Sequence, residues 1–220
     1  MPLQPPKILE RIFPDILWRG PIDDNGVYLT FDDGPDPANT PCVLDILSEH
    51  NVPASFFLVG SRISGAESAV ERSSREGHLL ANHGFSHRKL GWMPSRIIEA
   101  EIADTEHILV SNGWTCHKLF RPPFGHFRPG MTKRMRRIGY RMVMWSSMPG
   151  DYRQMASDRL LQRTLLNLHP GTIIVFHDHS RDPQPMIEML PRLLNELNER
   201  GYNCKRLDEI EGIELYGGKG

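Results

Sequence analysis

The feature that most constrains this chain is a repeated switch of hydrophobic period. Short apolar, β-favouring runs at 27–31 (VYLTF), 54–59 (ASFFLV), 78–82, 119–120, 141–145 (RMVMW), 172–176 (TIIVF) and 202–207 are separated by helical spacings at 43–50, 66–76, 95–111, 130–138, 157–168 and 185–200. About seven strands, most of them followed by a helix, pair in parallel through right-handed crossovers. The clearest helix is 95–111: Ser95 reads as its N-cap, Ile98, Ile102, Thr105 and Leu109 share one face, and Asn112-Gly113 ends it. A chain of 220 residues buries roughly 70% of its unfolded surface, enough for one core in a single α/β domain. In such folds, functional groups gather where strands run out into loops at the carboxyl edge.

Composition excludes several classes. Lys plus Arg number 26 and Asp plus Glu 27, for a net charge of −1, so no basic stripe argues for nucleic acid. Cys42, Cys116 and Cys204 lie far apart and form neither a disulfide framework nor a thiolate metal site. No apolar run is long enough to span a membrane. The 18 prolines place many loops and element ends in the chain. At 7–18 (KILERIFPDILW), Glu10, Arg11 and Asp15 interrupt an amphipathic pattern, so there is no signal-peptide core. This stretch reads as a short helix or two turns broken near Pro14. Residues 1–26 are thus expected as an extension packed on a domain at 27–215, with 216–220 a frayed tail. A cytoplasmic location follows from the missing signal, with peripheral membrane or envelope association as the alternative.

Four strand ends carry unusual residues. Phe31 is followed by Asp32 and Asp33, Asn82 by His83 and His87, and Phe120 by Arg121; Phe176 leads into His177-Asp178-His179. Carboxylates and imidazoles converging at one mouth are what a metal-assisted hydrolase needs. His83 and His87, four apart, would share one face of a helical turn, and Asp33 offers a third ligand. Two histidines and one aspartate leave coordination positions open, the mark of a catalytic metal site. Asp32 then stays free as general base, and Arg121 compensates the paired carboxylates. Arg121 precedes Pro122-Pro123-Phe124-Gly125, a stiff loop whose Phe124 N–H is aimed at a developing oxyanion. His177, just past its apolar run, reads as general acid. Each has a bland alternative: a turn, a pair of solvated histidines, a surface arginine, a core histidine. Gly84-Phe85-Ser86-His87-Arg88 lacks the closing glycine of a nucleophile elbow, and no phosphate-binding glycine loop is present. His50, His78, His107, His117, His126 and His169 read as surface or packing residues.

Taken in order, Thr30–Pro35 (TFDDGP), His83–His87 (HGFSH), Arg121–Gly125 (RPPFG) and the Val175-Phe176-His177 strand end resemble the motifs of the polysaccharide deacetylases, carbohydrate esterase family four, which includes the chitooligosaccharide deacetylases. The resemblance implies a distorted (β/α) barrel of about seven strands. It implies a divalent metal on Asp33, His83 and His87, zinc first, with cobalt or nickel as alternatives. Asp32 would be the base, Arg121 its orienter and His177 the acid in hydrolysis of an acetyl group, N-acetyl ahead of O-acetyl, on a sugar or polysaccharide. The partner implied is an acetylated glycan or oligosaccharide.

Three departures stand out. Gly84 sits where the family usually has Ser or Thr, and Phe124 replaces a common Tyr. A fourth motif following Trp145 keeps Asp151 but carries Met148 for an acid and Tyr152 for a Trp. Asp151 is expected to support Arg121 or His177; Pro123, Phe124, Trp145 and Tyr152 are expected to contact substrate. Two rival readings are a hydrolase of non-sugar linear or cyclic amides on the same fold, and an inactive glycan-binding protein.

Overall fold

A computed structural model describes residues 4–213, so the tail expected at 216–220 lies outside the described residues. Among the described residues there are seven strands: β1 (Gly26–Asp32), β2 (Ser55–Leu58), β3 (Leu79–Asn82), β4 (Leu119–Phe120), β5 (Arg141–Met142), β6 (Ile173–His177) and β7 (Asn203–Cys204). The path runs β5-β4-β3-β2-β1-β6, with β7 against the start of β1. Every pairing is parallel. Seven helices accompany them: α1 (Lys7–Ile12), α2 (Asn39–Glu49), α3 (Glu67–Arg75), α4 (Ser95–Ser111), α5 (Met131–Arg137), α6 (Ser157–Leu165) and α7 (Gln184–Glu199). None is long and apolar enough to cross a membrane.

Side chains of a strand alternate between its two faces, and both faces of this sheet are covered. Tyr28, Phe57, Ala81, Ile173 and Val175 join Trp18, Met142 and Trp145 in one buried cluster. Their neighbours Val27, Leu29, Phe31, Phe56, Leu80, Ile174 and Phe176 pack under α2, α6 and α7 through Leu44, Leu47, Leu160, Leu190 and Leu194. Each buried Val, Leu, Ile, Phe or Met among them contributes about 1.5–3 kcal/mol through burial.

The expected strand at 141–145 is shorter as β5, because its continuation changes partners. Met144 N–H donates to the Leu17 carbonyl at 2.8 Å, and Leu17 bridges Val143. Further on, Ser147 bridges Ile174, and Val175 N–H donates to Ser147 at 3.0 Å. The sheet therefore curls until its two edges meet, giving the distorted (β/α) barrel. Within the N-terminal stretch, α1 buries no residue, whereas Ile16, Leu17 and Trp18 enter the core.

Two boundaries differ from expectation for local reasons. Ser95 is the first residue of α4 and not its cap; Pro94, which has no N–H to satisfy, occupies the cap position. Helix α2 starts at Asn39, ahead of 43, because the Asp36 carboxylate accepts the N–H groups of Ala38 and Asn39, each at 2.9 Å.

Candidate active site

The carboxyl ends of β1, β3, β4 and β6 meet at one mouth. Along β1, Thr30 and Asp32 share a side, and the register sets Asp32 opposite His177 on β6 and Phe57 on β2. From the end of β4, the fully buried Arg121 reaches under them. Its Nη1 donates to Thr30 Oγ1 at 2.7 Å and to Asp32 Oδ1 at 2.6 Å, and its Nη2 to the Met144 carbonyl at 2.9 Å. The guanidinium lies 4.1 Å over the Phe57 ring. Burial pulls Arg121 below its ordinary pKa while Asp32 opposes that shift. The pair is a fixed cation–carboxylate unit with one face of Asp32 left to the mouth.

Asp33, His83 and His87 form a group able to hold a metal ion, with their ligand atoms all within 4.8 Å of one another. Asp33 Oδ1 lies 3.2 Å from His83 Nε2 and 2.7 Å from His87 Nε2. His83 Nδ1 is bonded to the Arg121 carbonyl at 2.7 Å, which commits that nitrogen as donor and leaves Nε2 as the ligand atom. Burial would raise the Asp33 carboxyl, but its hydrogen bonds to both imidazoles hold it well below the usual carboxylate range. The two histidines do not share a helical turn, as their spacing suggested; they flank a loop between β3 and α4. His87 has a φ of 52°, as Asp33 has 74° and Phe124 61°. Three of the five non-glycine residues with positive φ among the described residues thus sit at this site, where backbone strain tends to be kept for function.

Across the mouth, Asp151 accepts the His177 N–H at 2.6 Å and pairs with its Nδ1 at 2.9 Å. Of the two partners open to Asp151, the structure brings it to His177. Burial works against a charged imidazole, yet the adjacent Asp151 carboxylate pushes His177 up to about 9. A cavity of about 270 Å³ is lined by Asp32, Asp33, His83, His87 and His177, with Phe124, Gly125, Trp145, Met148, Tyr152 and Val175 as walls. Pro123 does not line it. That ring is buried, facing the loop at Gly84. His78, His126 and the other five histidines stand outside the cavity.

The family model described as polysaccharide deacetylase matches residues 19–143, more than half of the chain. The chain belongs to the polysaccharide deacetylase family. It is 30% identical, over 89% of its length and 92% of the other's, to a peptidoglycan-N-acetylglucosamine deacetylase of Bacillus cereus. It is 37% identical to a chitooligosaccharide deacetylase of Rhizobium leguminosarum bv. trifolii over 71% of this chain and 73% of that one. A crystal structure of a peptidoglycan N-acetylglucosamine deacetylase superposes with a TM-score of 0.87 at 30% identity, covering 91% of this chain and 95% of that chain.

Two buried acids that the motif reading passed over brace the site of this polysaccharide deacetylase family member. Glu101 on α4 accepts the N–H groups of Phe85 and Ser86 at 2.9 and 2.7 Å and the Ser86 hydroxyl at 2.5 Å. It thereby holds the loop between the two histidines, with Gly84 standing where the family usually has a hydroxyl. The signal was present: Glu101 is a charge on the apolar face shared by Ile98, Ile102 and Thr105. Asp178 is fully buried, accepts the Thr40 hydroxyl at 2.5 Å, and is pushed up to about 7 by burial. Gly34, next to Asp33, packs so closely on this carboxyl that any Cβ there would overlap it. Asp178 thus seats the β1–α2 turn from the side of β6.

Proposed function

We propose that this protein is a metal-dependent deacetylase that hydrolyses the N-acetyl group of an amino sugar within a glycan. The observation that carries the reading is the placement of the Asp33–His83–His87 group in one cavity with Asp32 and the His177–Asp151 pair. The named relatives, deacetylases of peptidoglycan and chitooligosaccharides, support a substrate of the same kind. The catalytic unit is assigned to 27–215, with 1–26 as its N-terminal extension.

A carboxylate and two imidazole nitrogens fit zinc, with cobalt and nickel acceptable to the same donors. When bound, such an ion supplies Lewis acidity to the acetyl carbonyl and acidifies water. The chain's own residues do the rest. Asp32, held in place by the Arg121 hydrogen bond, takes the proton from the attacking water. Thr30 and the Met144 carbonyl fix Arg121, so the base cannot swing away from the mouth. The Phe124 N–H, held by the Pro122-Pro123 loop, donates to the developing oxyanion. His177, protonated at neutral pH beside Asp151, delivers a proton to the departing nitrogen. An amine leaves poorly unless protonated, so a strongly basic imidazole suits N-acetyl better than O-acetyl substrates. Trp145, Met148 and Tyr152 wall the space for the acetyl methyl and keep bulk water out.

The test is acetate release from N-acetylglucosamine oligomers, acetylated xylan and simple acetanilides by zinc-loaded protein. Acetate from the oligomers, well above that from xylan, is expected. Turnover of the anilides alone would move the assignment to a non-sugar amide hydrolase. Saturable oligomer binding without any acetate would make it a binding protein.

A further inference from the structure

Four tryptophans are present, and three are buried: Trp18 at 4%, Trp114 at 7% and Trp145 at 8% exposure. Trp92 is 76% exposed, a costly place for the largest aromatic side chain. It is also held still. Its Nε1 donates to His126 Nε2 at 3.1 Å, and the two rings sit 6.1 Å apart. The turn that carries it, Leu90–Trp92, is anchored by the buried Leu90 and pressed onto His126. A Cβ on Gly91 would lie 2.7 Å from His126 Nδ1 and 2.9 Å from its carbonyl oxygen, so only glycine permits that contact.

The position of this indole is informative. His126 directly follows Phe124-Gly125, both of which wall the catalytic cavity. Phe124 is 49% exposed, and its ring lies 4.7 Å from the His87 imidazole. His87, Phe124, Gly125, His126 and Trp92 therefore form a continuous rim running from the proposed metal ligands outward. An exposed indole with its N–H already satisfied and its face open is preorganised to stack on a flat, weakly polar surface. The C–H face of a pyranose ring is such a surface.

We infer that Trp92 is the stacking platform of an outer sugar subsite at least two rings beyond the residue that is deacetylated, so the enzyme recognises an oligosaccharide longer than a dimer. This rests on the glycan reading above and names the residue that senses chain length. His126 is a positioning residue that fixes the indole. Trp92 enters no covalent step.

Two measurements test it. The first uses a β-linked N-acetylglucosamine pentamer on the Asp32→Asn protein and follows quenching of tryptophan fluorescence by acrylamide. Because Trp92 is the one exposed tryptophan, the pentamer should shield it, and the shielding should vanish in the Asp32→Asn/Trp92→Leu double variant. The second compares kcat/KM for pentamer and dimer. Trp92→Leu should cut the pentamer-to-dimer ratio by about tenfold, with Trp92→Tyr restoring most of it. An unchanged ratio, or an equal loss for both lengths, would overturn the inference. Shielding without acetate from any oligomer would instead sink the deacetylase reading and leave the platform standing.

Discussion

At the scale of single residues, the site divides its labour between neighbours. Asp32 and Asp33 are adjacent in sequence, yet one is gripped by Arg121 at 2.6 Å and the other faces two imidazoles. Asp32→Asn should therefore retain metal and lose about 10³-fold in kcat, whereas His83→Ala should lose the metal itself, read by metal content after gel filtration. Asp151 offers a sharper test. The acid limb of the mechanism needs His177 protonated, so activity falls as pH rises through the His177 pKa. Removing the carboxylate that does most to raise it leaves burial, which lowers it, opposed only by the smaller contributions of Asp33 and Asp32. In Asp151→Asn the alkaline limb of the pH–rate profile should move acidward by at least about one unit; an unmoved limb would free His177 from the acid role. The motif residues were legible because each follows an apolar run at a strand end. Pro123 is not among the cavity walls, and a stiff loop looks alike in sequence whether its ring faces ligand or core.

At the scale of elements, the strands and helices were readable from period alone, while their ends were decided by contacts the chain makes elsewhere. His83 and His87 have helical spacing, but Glu101, reaching from α4, ties the loop between them. The charge on the apolar face of α4 marks Glu101 as a buried acid, but nothing local to the histidines says that it grips their loop. His78, at the entry to β3, shows what such contacts cost. It is buried, its Nδ1 accepts the Ala54 N–H at 3.2 Å, and it lies edge-on to Phe56 at 5.5 Å. Burial lowers its pKa from 6.5 to about 4. The folded state thus binds fewer protons than the unfolded state between those values, and stability falls as pH drops from about 6.5 toward 4, by about 1.4 kcal/mol per unit. Replacing His78 by Asn, whose amide oxygen can accept the same N–H, should remove about 2 kcal/mol of the stability loss between pH 7 and 5. Urea unfolding of both proteins at the two pH values checks this. An identical loss in the variant would place the titrating group elsewhere.

At the scale of the whole molecule, closure of the barrel is what brings the site together. The alternation of periods announced a parallel α/β sheet, and the resemblance implied a barrel. The joint itself could not be read: Leu17 and the segment from Val143 to Ser147 pair through single bridges, too short for any periodic signal. Without that joint, Trp145, Met148 and Tyr152 would not face Asp32 and His83 across one cavity. Three of the 18 prolines, Pro35, Pro122 and Pro123, stiffen loops at this mouth. The central claim is that this mouth is a metal-dependent deacetylase site. The most direct measurement is acetate released from an N-acetylglucosamine pentamer by protein stripped with a chelator, then titrated with zinc while bound metal is counted. Acetate release should be absent from the stripped protein and return in proportion to metal, saturating near one ion per chain. Undiminished acetate release from the stripped protein, or a full complement of metal with none at all, would contradict it.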